Sequence, residues 1–106
     1  SVTTDVDIDQ ATLPSEFTLC QNYPNPFNPS TTIRFDLPKT TQVSLSVINL
    51  LGQEIGCLVD AQLPAGTHQF EWNATDRYGR PLASGVYFYR LTGDDFSATR
   101  KLVLVR

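Results

Sequence analysis

The sequence predicts an all-β, immunoglobulin-like sandwich of seven short antiparallel strands. Three observations carry that expectation. Apolar and polar residues alternate with period two along most segments, turn signals punctuate the chain at short intervals, and the single tryptophan, Trp72, falls on the apolar side of its segment. No segment shows an apolar repeat of helical period.

Residues 1–14 show neither periodicity and carry Asp5, Asp7 and Asp9 before Pro14, so they read as an acidic linker or arm ahead of a domain over 15–106. Residues 16–21 form a short first strand with Phe17 and Leu19 on one face. Pro24, Pro26 and Pro29 then fix three φ angles and remove three backbone donors, which excludes a helix or a central strand. Tyr23 and Phe27 give this stiff stretch two large apolar anchors, so it reads as a packed loop. Residues 31–37 alternate cleanly, with Ile33, Phe35 and Leu37 inward. After a turn at 38–41, residues 43–49 repeat the pattern with Val43, Leu45 and Val47.

Leu50-Leu51-Gly52-Gln53 makes an apolar corner in which Gly52 supplies a positive φ. Residues 54–59 form a short strand and 63–66 a turn. Residues 66–73 place His68, Phe70 and Trp72 on one face, with Trp72 expected to pack on Tyr87 or Tyr89. In the loop over 76–85, Asp76 suits an Asx-turn, Gly79 a left-handed corner and Gly85 a close backbone approach. Residues 86–91 are apolar on both faces apart from Arg90, as in a central strand. Gly93-Asp94-Asp95 turns the chain into the last and longest strand, 96–105.

With 106 residues the chain fits one domain, and 41% hydrophobic with 18% charged residues is ordinary for a globular protein. A net charge of −3 and the lack of a basic stripe argue against nucleic acid. No apolar run approaches the roughly 20 residues of a membrane-spanning helix. The chain opens at Ser1 without methionine or signal segment and so reads as a piece of something longer. Cys20 and Cys57 leave two readings open, a disulfide in an oxidising compartment or two independent small apolar residues.

The inventory argues against an enzyme. A serine or cysteine nucleophile needs a base, and the one histidine, His68, sits beside Phe70 and Trp72 at a sandwich rim. Asp5, Asp7, Asp9 and Glu16 fall at calcium-loop positions 1, 3, 5 and 12. Gln10, however, stands where that loop needs glycine, and Pro14 interrupts the next segment, so a solvated linker is preferred and no metal or cofactor is expected. No helix succeeds Gly79 or Gly85 to bind phosphate. Exposed aromatics could form a glycan platform, but most alternate into the core.

Three elements remain: Pro24-Asn25-Pro26, Gly85-Val86-Tyr87 and Lys101-Leu102-Val103-Leu104. With Asn49-Leu50-Leu51-Gly52-Gln53-Glu54-Ile55 and Leu63-Pro64-Ala65-Gly66 between them, their order and spacing over about 17–106 resemble the C-terminal sorting domain of type IX secretion systems. The resemblance implies a non-catalytic address at the end of an exported cargo protein. Such an address is read in the periplasm by an outer-membrane translocon. It is commonly removed by a sortase-like protease that attaches the cargo to surface lipopolysaccharide, leaving it at the cell surface or in the medium. It also implies recognition through a folded edge and the terminal strand, with Lys101 and the adjacent edge accessible while Leu102 and Leu104 pack. Residues 76–91 are also similar to the immunoglobulin-like part of flagellar hook-capping proteins, which keeps a structural module as the alternative, alongside a carbohydrate-binding or spacer module of a secreted enzyme. Two features depart from the family pattern. Asn73-Ala74-Thr75 stands where the family often has Asp-Gly after its tryptophan, and the two cysteines are not part of that pattern.

Overall fold

The computed structural model describes residues 14–106; the acidic arm, with Asp5, Asp7, Asp9 and Gln10, lies outside the described residues. Alternation becomes seven strands: β1 (Thr18–Leu19), β2 (Thr31–Leu37), β3 (Thr41–Ile48), β4 (Glu54–Leu63), β5 (Gly66–Trp72), β6 (Gly85–Thr92) and β7 (Ser97–Leu104). They form two antiparallel sheets, β1-β2-β5 and β4-β3-β6-β7, in an immunoglobulin-like sandwich. β6 is an interior strand, as its doubly apolar sequence requires.

Two boundaries differ from expectation for local reasons. β1 is only two residues long, because the register slips by one beyond Cys20 and pairing with β2 resumes only as the isolated Tyr23↔Thr32 bridge. β4 runs on to Leu63, since β3 already starts at Thr41 and the ladder continues through Thr41↔Leu63 across two register irregularities.

The inward faces of both sheets build one core around Ile33, Phe35, Leu45, Trp72, Tyr89 and Leu102. Trp72 and the tyrosines of β6 are in different sheets, so β5 and β6 are not the neighbouring strands expected, although Trp72 and Tyr89 share the one core. The aromatic partner of Trp72 is instead Phe27, at 5.8 Å between ring centroids. Phe70 is only half-buried and stacks on Phe35 at 5.8 Å.

Tyr89 is fully buried, and its hydroxyl donates to the Cys20 carbonyl at 2.6 Å, joining β6 to the chain just past β1. Burial pushes this phenol up to about 12, against an unfolded value near 10. A group whose folded pKa is raised contributes stability that is complete below the unfolded value and is lost as pH rises through the folded one. Urea unfolding at stepped pH should therefore show stability falling between about pH 10 and 12. In Tyr89→Phe that alkaline fall should shrink; an unchanged profile would show that Tyr89 does not cause it.

The disulfide is not made: Cys20 and Cys57 are both free. β1 lies against β7, whereas β4 and β5 flank the other side of the sandwich, so the two thiols belong to opposite edges. A disulfide needs Cα atoms within about 7 Å.

A candidate recognition site around the last strand

β7 is the edge strand of its sheet, and a bare edge presents unpaired backbone groups. Its inner side pairs with β6 in the register Gly85↔Leu104, Val86↔Val103, Tyr87↔Leu102 and Phe88↔Lys101. Alternation divides the two elements by face. Leu102 and Leu104 are buried in the core, with half-buried Tyr87 on the same side. Val86, Lys101 and Val103 stand on the outer face, where Lys101 is exposed.

The proline-rich loop covers the other side of β7. The Phe27 N–H donates to the Val103 carbonyl and the Val105 N–H donates to the Phe27 carbonyl, both at 3.0 Å, forming a parallel bridge of Phe27 with Leu104. Val103 donates its own N–H to Asn25 Oδ1 at 2.9 Å, and Gln21 Nε2 donates to the Lys101 carbonyl at 2.7 Å. Prolines cannot donate to a ladder, so the loop pairs through one backbone residue and borrowed side chains. Asn25, held between Pro24 and Pro26, is one of those side chains. The three sequence elements thus meet at the end of β7, whose edge is less open there than the sequence implied.

Residues outside the elements hold this arrangement. Buried Asn22 donates from Nδ2 to Thr31 Oγ1 at 2.9 Å and to the Pro24 carbonyl at 3.1 Å, while Thr31 Oγ1 donates to the same carbonyl at 2.8 Å. The loop's two aromatics part company. Phe27 is 2% exposed and in the core, whereas Tyr23 is 80% exposed and only its backbone is anchored, by two hydrogen bonds with Thr32. Arg100 reaches from β7 to the Leu19 carbonyl at 2.8 Å. Arg106 donates from its backbone to Ser84 Oγ at 2.9 Å and from its guanidinium to the carbonyls of Leu82 at 2.6 Å and Ala74 at 3.2 Å. Asn22, Thr31, Arg100 and Arg106 escaped the sequence reading because single polar residues carry no periodic signal. The one available hint was that a run of prolines leaves nearby backbone groups to be satisfied by side chains.

The loop leading into β6 is fastened by Asp76. Its Oδ1 accepts from the Tyr78 N–H at 2.8 Å and the Arg80 N–H at 2.9 Å, its Oδ2 accepts from Arg80 Nε at 2.8 Å, and Gly79 turns the corner at φ +79°. The Arg80 N–H above all, then the Tyr78 N–H and the Arg80 guanidinium, hold this carboxyl below its usual 3.8, with desolvation opposing them. A depressed pKa gives stability that is present above the unfolded value and lost as pH falls through the folded one. Protection of the Tyr78 and Arg80 amides, referred to intrinsic exchange at each pH, should therefore fall only below the ordinary carboxylate range. Protection lost already at neutral pH would remove Asp76 as the fastener.

Ala74, in the Asn73-Ala74-Thr75 turn after the tryptophan, takes a left-handed conformation at φ +60° and is fully buried. Left-handed backbone costs alanine about 1–2 kcal/mol. Glycine would lose roughly 0.4–1 kcal/mol to unfolded-state entropy and about 0.8 kcal/mol of methyl burial, so alanine is tolerated. At Gly85 a Cβ would meet nothing within 4 Å, so the close-approach reading is replaced by a backbone one, φ +157°.

His68 lies on β5 with its ring on Phe35 at 5.5 Å and Nε2 at 2.8 Å from the Pro64 carbonyl, a rim position. An open cleft of about 460 Å³ between β4 and β5 is lined by Glu54, Cys57, Glu71, Asp76 and Arg77, with Trp72 beneath. Arg77 there donates to the Glu54 carbonyl at 2.7 Å, and its N–H to the Ile55 carbonyl at 3.0 Å, pinning the loop to β4.

Comparison with known proteins bears on this end of the sandwich. A family described as the secretion system C-terminal sorting domain matches residues 21–105, which contain all three elements. Among solved structures, dimeric latent PorU from Porphyromonas gingivalis is similar with a TM-score of 0.68 at 18% identity, over 82% of this chain and 9% of that one. PorZ from P. gingivalis, described as an essential bacterial surface component of the type IX secretion system, gives 0.57 at 23% identity, over 81% of this chain and 11% of that one. FlgD from P. aeruginosa gives 0.55 at 21% identity, over 70% of this chain and 58% of that one. At these identities the likeness is one of fold, and the chain spans only about a tenth of PorU or PorZ. No curated protein matches the chain.

Proposed function

The chain belongs to the secretion system C-terminal sorting domain family, and from that premise we propose that it is the folded address by which an attached cargo protein crosses the outer membrane through a type IX translocon. Residues 1–14 are then the linker to the cargo and 15–106 the address. The domain itself does no chemistry and needs no cofactor. A translocon component reads it in the periplasm, and a sortase-like protease acts on the cargo side once the domain is across, leaving the cargo at the surface or in the medium.

The observation that carries this reading is the meeting of Pro24-Asn25-Pro26, Gly85-Val86-Tyr87 and Lys101-Leu102-Val103 on one strand. Elements far apart in the chain have no catalytic group among them, yet they build one surface. Its physical content is a terminal strand locked on both sides, which only a completely folded chain can present. The sandwich likeness to FlgD is equally a likeness of fold, so the alternative of a structural module is decided by experiment. The chain fused behind a signal-peptide-bearing reporter should deliver that reporter to the surface or medium of a type IX-competent host. Retention in the periplasm, while the host exports its own cargo normally, would sink the sorting assignment in favour of the structural module.

A further inference from the structure

The outer face of the four-stranded sheet is divided. Along its middle it is polar, with Ser44, Ser46, Arg90, Thr92 and Thr99. At the end near the β3–β4 turn it is apolar: half-buried Phe88 stands beside buried Ile48, and Val86 beside Val103, both half-buried. Val105, just beyond, is 49% exposed. The turn adds Leu50 and Leu51, 69% and 82% exposed, which share a shallow groove of about 250 Å³ with Asn49, Ser84, Gly85, Val86 and Tyr87.

This turn is rigid. Asn49 Oδ1 accepts from the N–H groups of Leu51 at 2.9 Å and Gln53 at 3.0 Å, and Asn49 Nδ2 donates to Gln53 Oε1 at 2.9 Å. Backbone bonds from Asn49 to Gln53 and from Gly52 to Asn49, with Gly52 at φ +83°, complete it. Holding two leucines in water adds nothing to the fold, and a polar pair would serve such a turn better. Apolar side chains carried on a fixed backbone suit an interface, where little backbone entropy is lost on docking.

We infer that this end of the outer face, from the Leu50-Leu51 turn across Val86 to Val103 and Lys101, is the docking surface for a folded protein of the export apparatus. That partner offers an apolar groove with a carboxylate at its border. The inference rests on the sorting function proposed above. Charge selects the partner. Among the described residues no charged one lines the Leu50-Leu51 groove, and Lys101, paired with Phe88 at the margin of the surface, is the cation that a single acidic side chain would meet. One lysine on a chain of net charge −3 is a poor match for an anionic membrane, which binds clusters of basic residues.

The test compares the reporter fusion carrying the unaltered chain with Leu50→Ser/Leu51→Ser, with Leu51→Ser alone, and with Tyr78→Ser, an exposed aromatic outside this surface. The double variant should keep its melting midpoint and lose export by about tenfold or more, the scale of losing interface anchors. Leu51→Ser should lose part of it and Tyr78→Ser none. Normal export of a folded double variant would overturn the docking surface while leaving the sorting function standing. Retention of the unaltered fusion would instead overturn the sorting function and this inference with it. Equal loss in Tyr78→Ser would overturn the surface as specific. Leucine-dependent flotation of the purified 106-residue chain with anionic lipid vesicles would replace the protein partner with a membrane.

Discussion

Phe27→Ala is expected to lower the unfolding free energy by about 3–5 kcal/mol, a core-sized loss from a residue outside every strand. The ring is 2% exposed and packs on Trp72, while the backbone of the same residue pairs with Val103 and Val105. Alanine keeps the backbone pairing and removes the ring, so the loss reports the cavity alone. Tyr23→Ala, in the same proline-rich loop, should change stability by no more than about half a kcal/mol, because its side chain stands in water. Trp72→Ala belongs in the same range as Phe27→Ala, and the double variant should cost less than the sum, since the rings touch. Urea unfolding of these four variants against the unaltered chain decides it. Equal, small losses for Phe27 and Tyr23 would take Phe27 out of the core.

That contrast also shows where the sequence was readable. Alternation named the inward residues of β2 and β3, Ile33, Phe35, Leu37, Val43, Leu45 and Val47, all of them buried, because a half-buried strand must alternate. Gly52 and Gly79 were placed in positive-φ corners and Asp76 at an Asx-turn from local chemistry alone. Tyr23 and Phe27 could not be told apart, since prolines impose no period and either ring suits an anchor. The partner of Trp72 was missed for a different reason. Strand order assigns β5 and β6 to different sheets, and nothing local to either segment encodes that. The candidate recognition site was legible as three elements but not as one place. What joins them is Asn25 Oδ1, Gln21 and the Phe27 backbone, bonds across most of the chain length that no spacing rule reaches.

Removing residues 101–106 is expected to leave no folded domain. Leu102 and Leu104 are fully buried, and each core leucine contributes about 2–5 kcal/mol. Their joint loss, roughly 4–10 kcal/mol, is comparable with the 5–15 kcal/mol of a whole domain. The truncation also strips Gly85-Val86-Tyr87 of its ladder, Phe27 of both bridge bonds, and the loop around Ala74 and Leu82 of the Arg106 guanidinium. Circular dichroism of the truncated chain should show no cooperative melt, and a reporter carrying it should stay in the periplasm. Because unfolding alone explains that retention, Lys101→Ala separates the two causes. Its side chain stands exposed on the outer face, so the melt should move by no more than about half a kcal/mol. Export should nevertheless fall, because the cation at the margin of the docking surface is gone. A truncated chain that still melts cooperatively would show that the last strand is not what closes the sandwich, and a Lys101→Ala fusion exported as well as the unaltered one would remove Lys101 from recognition.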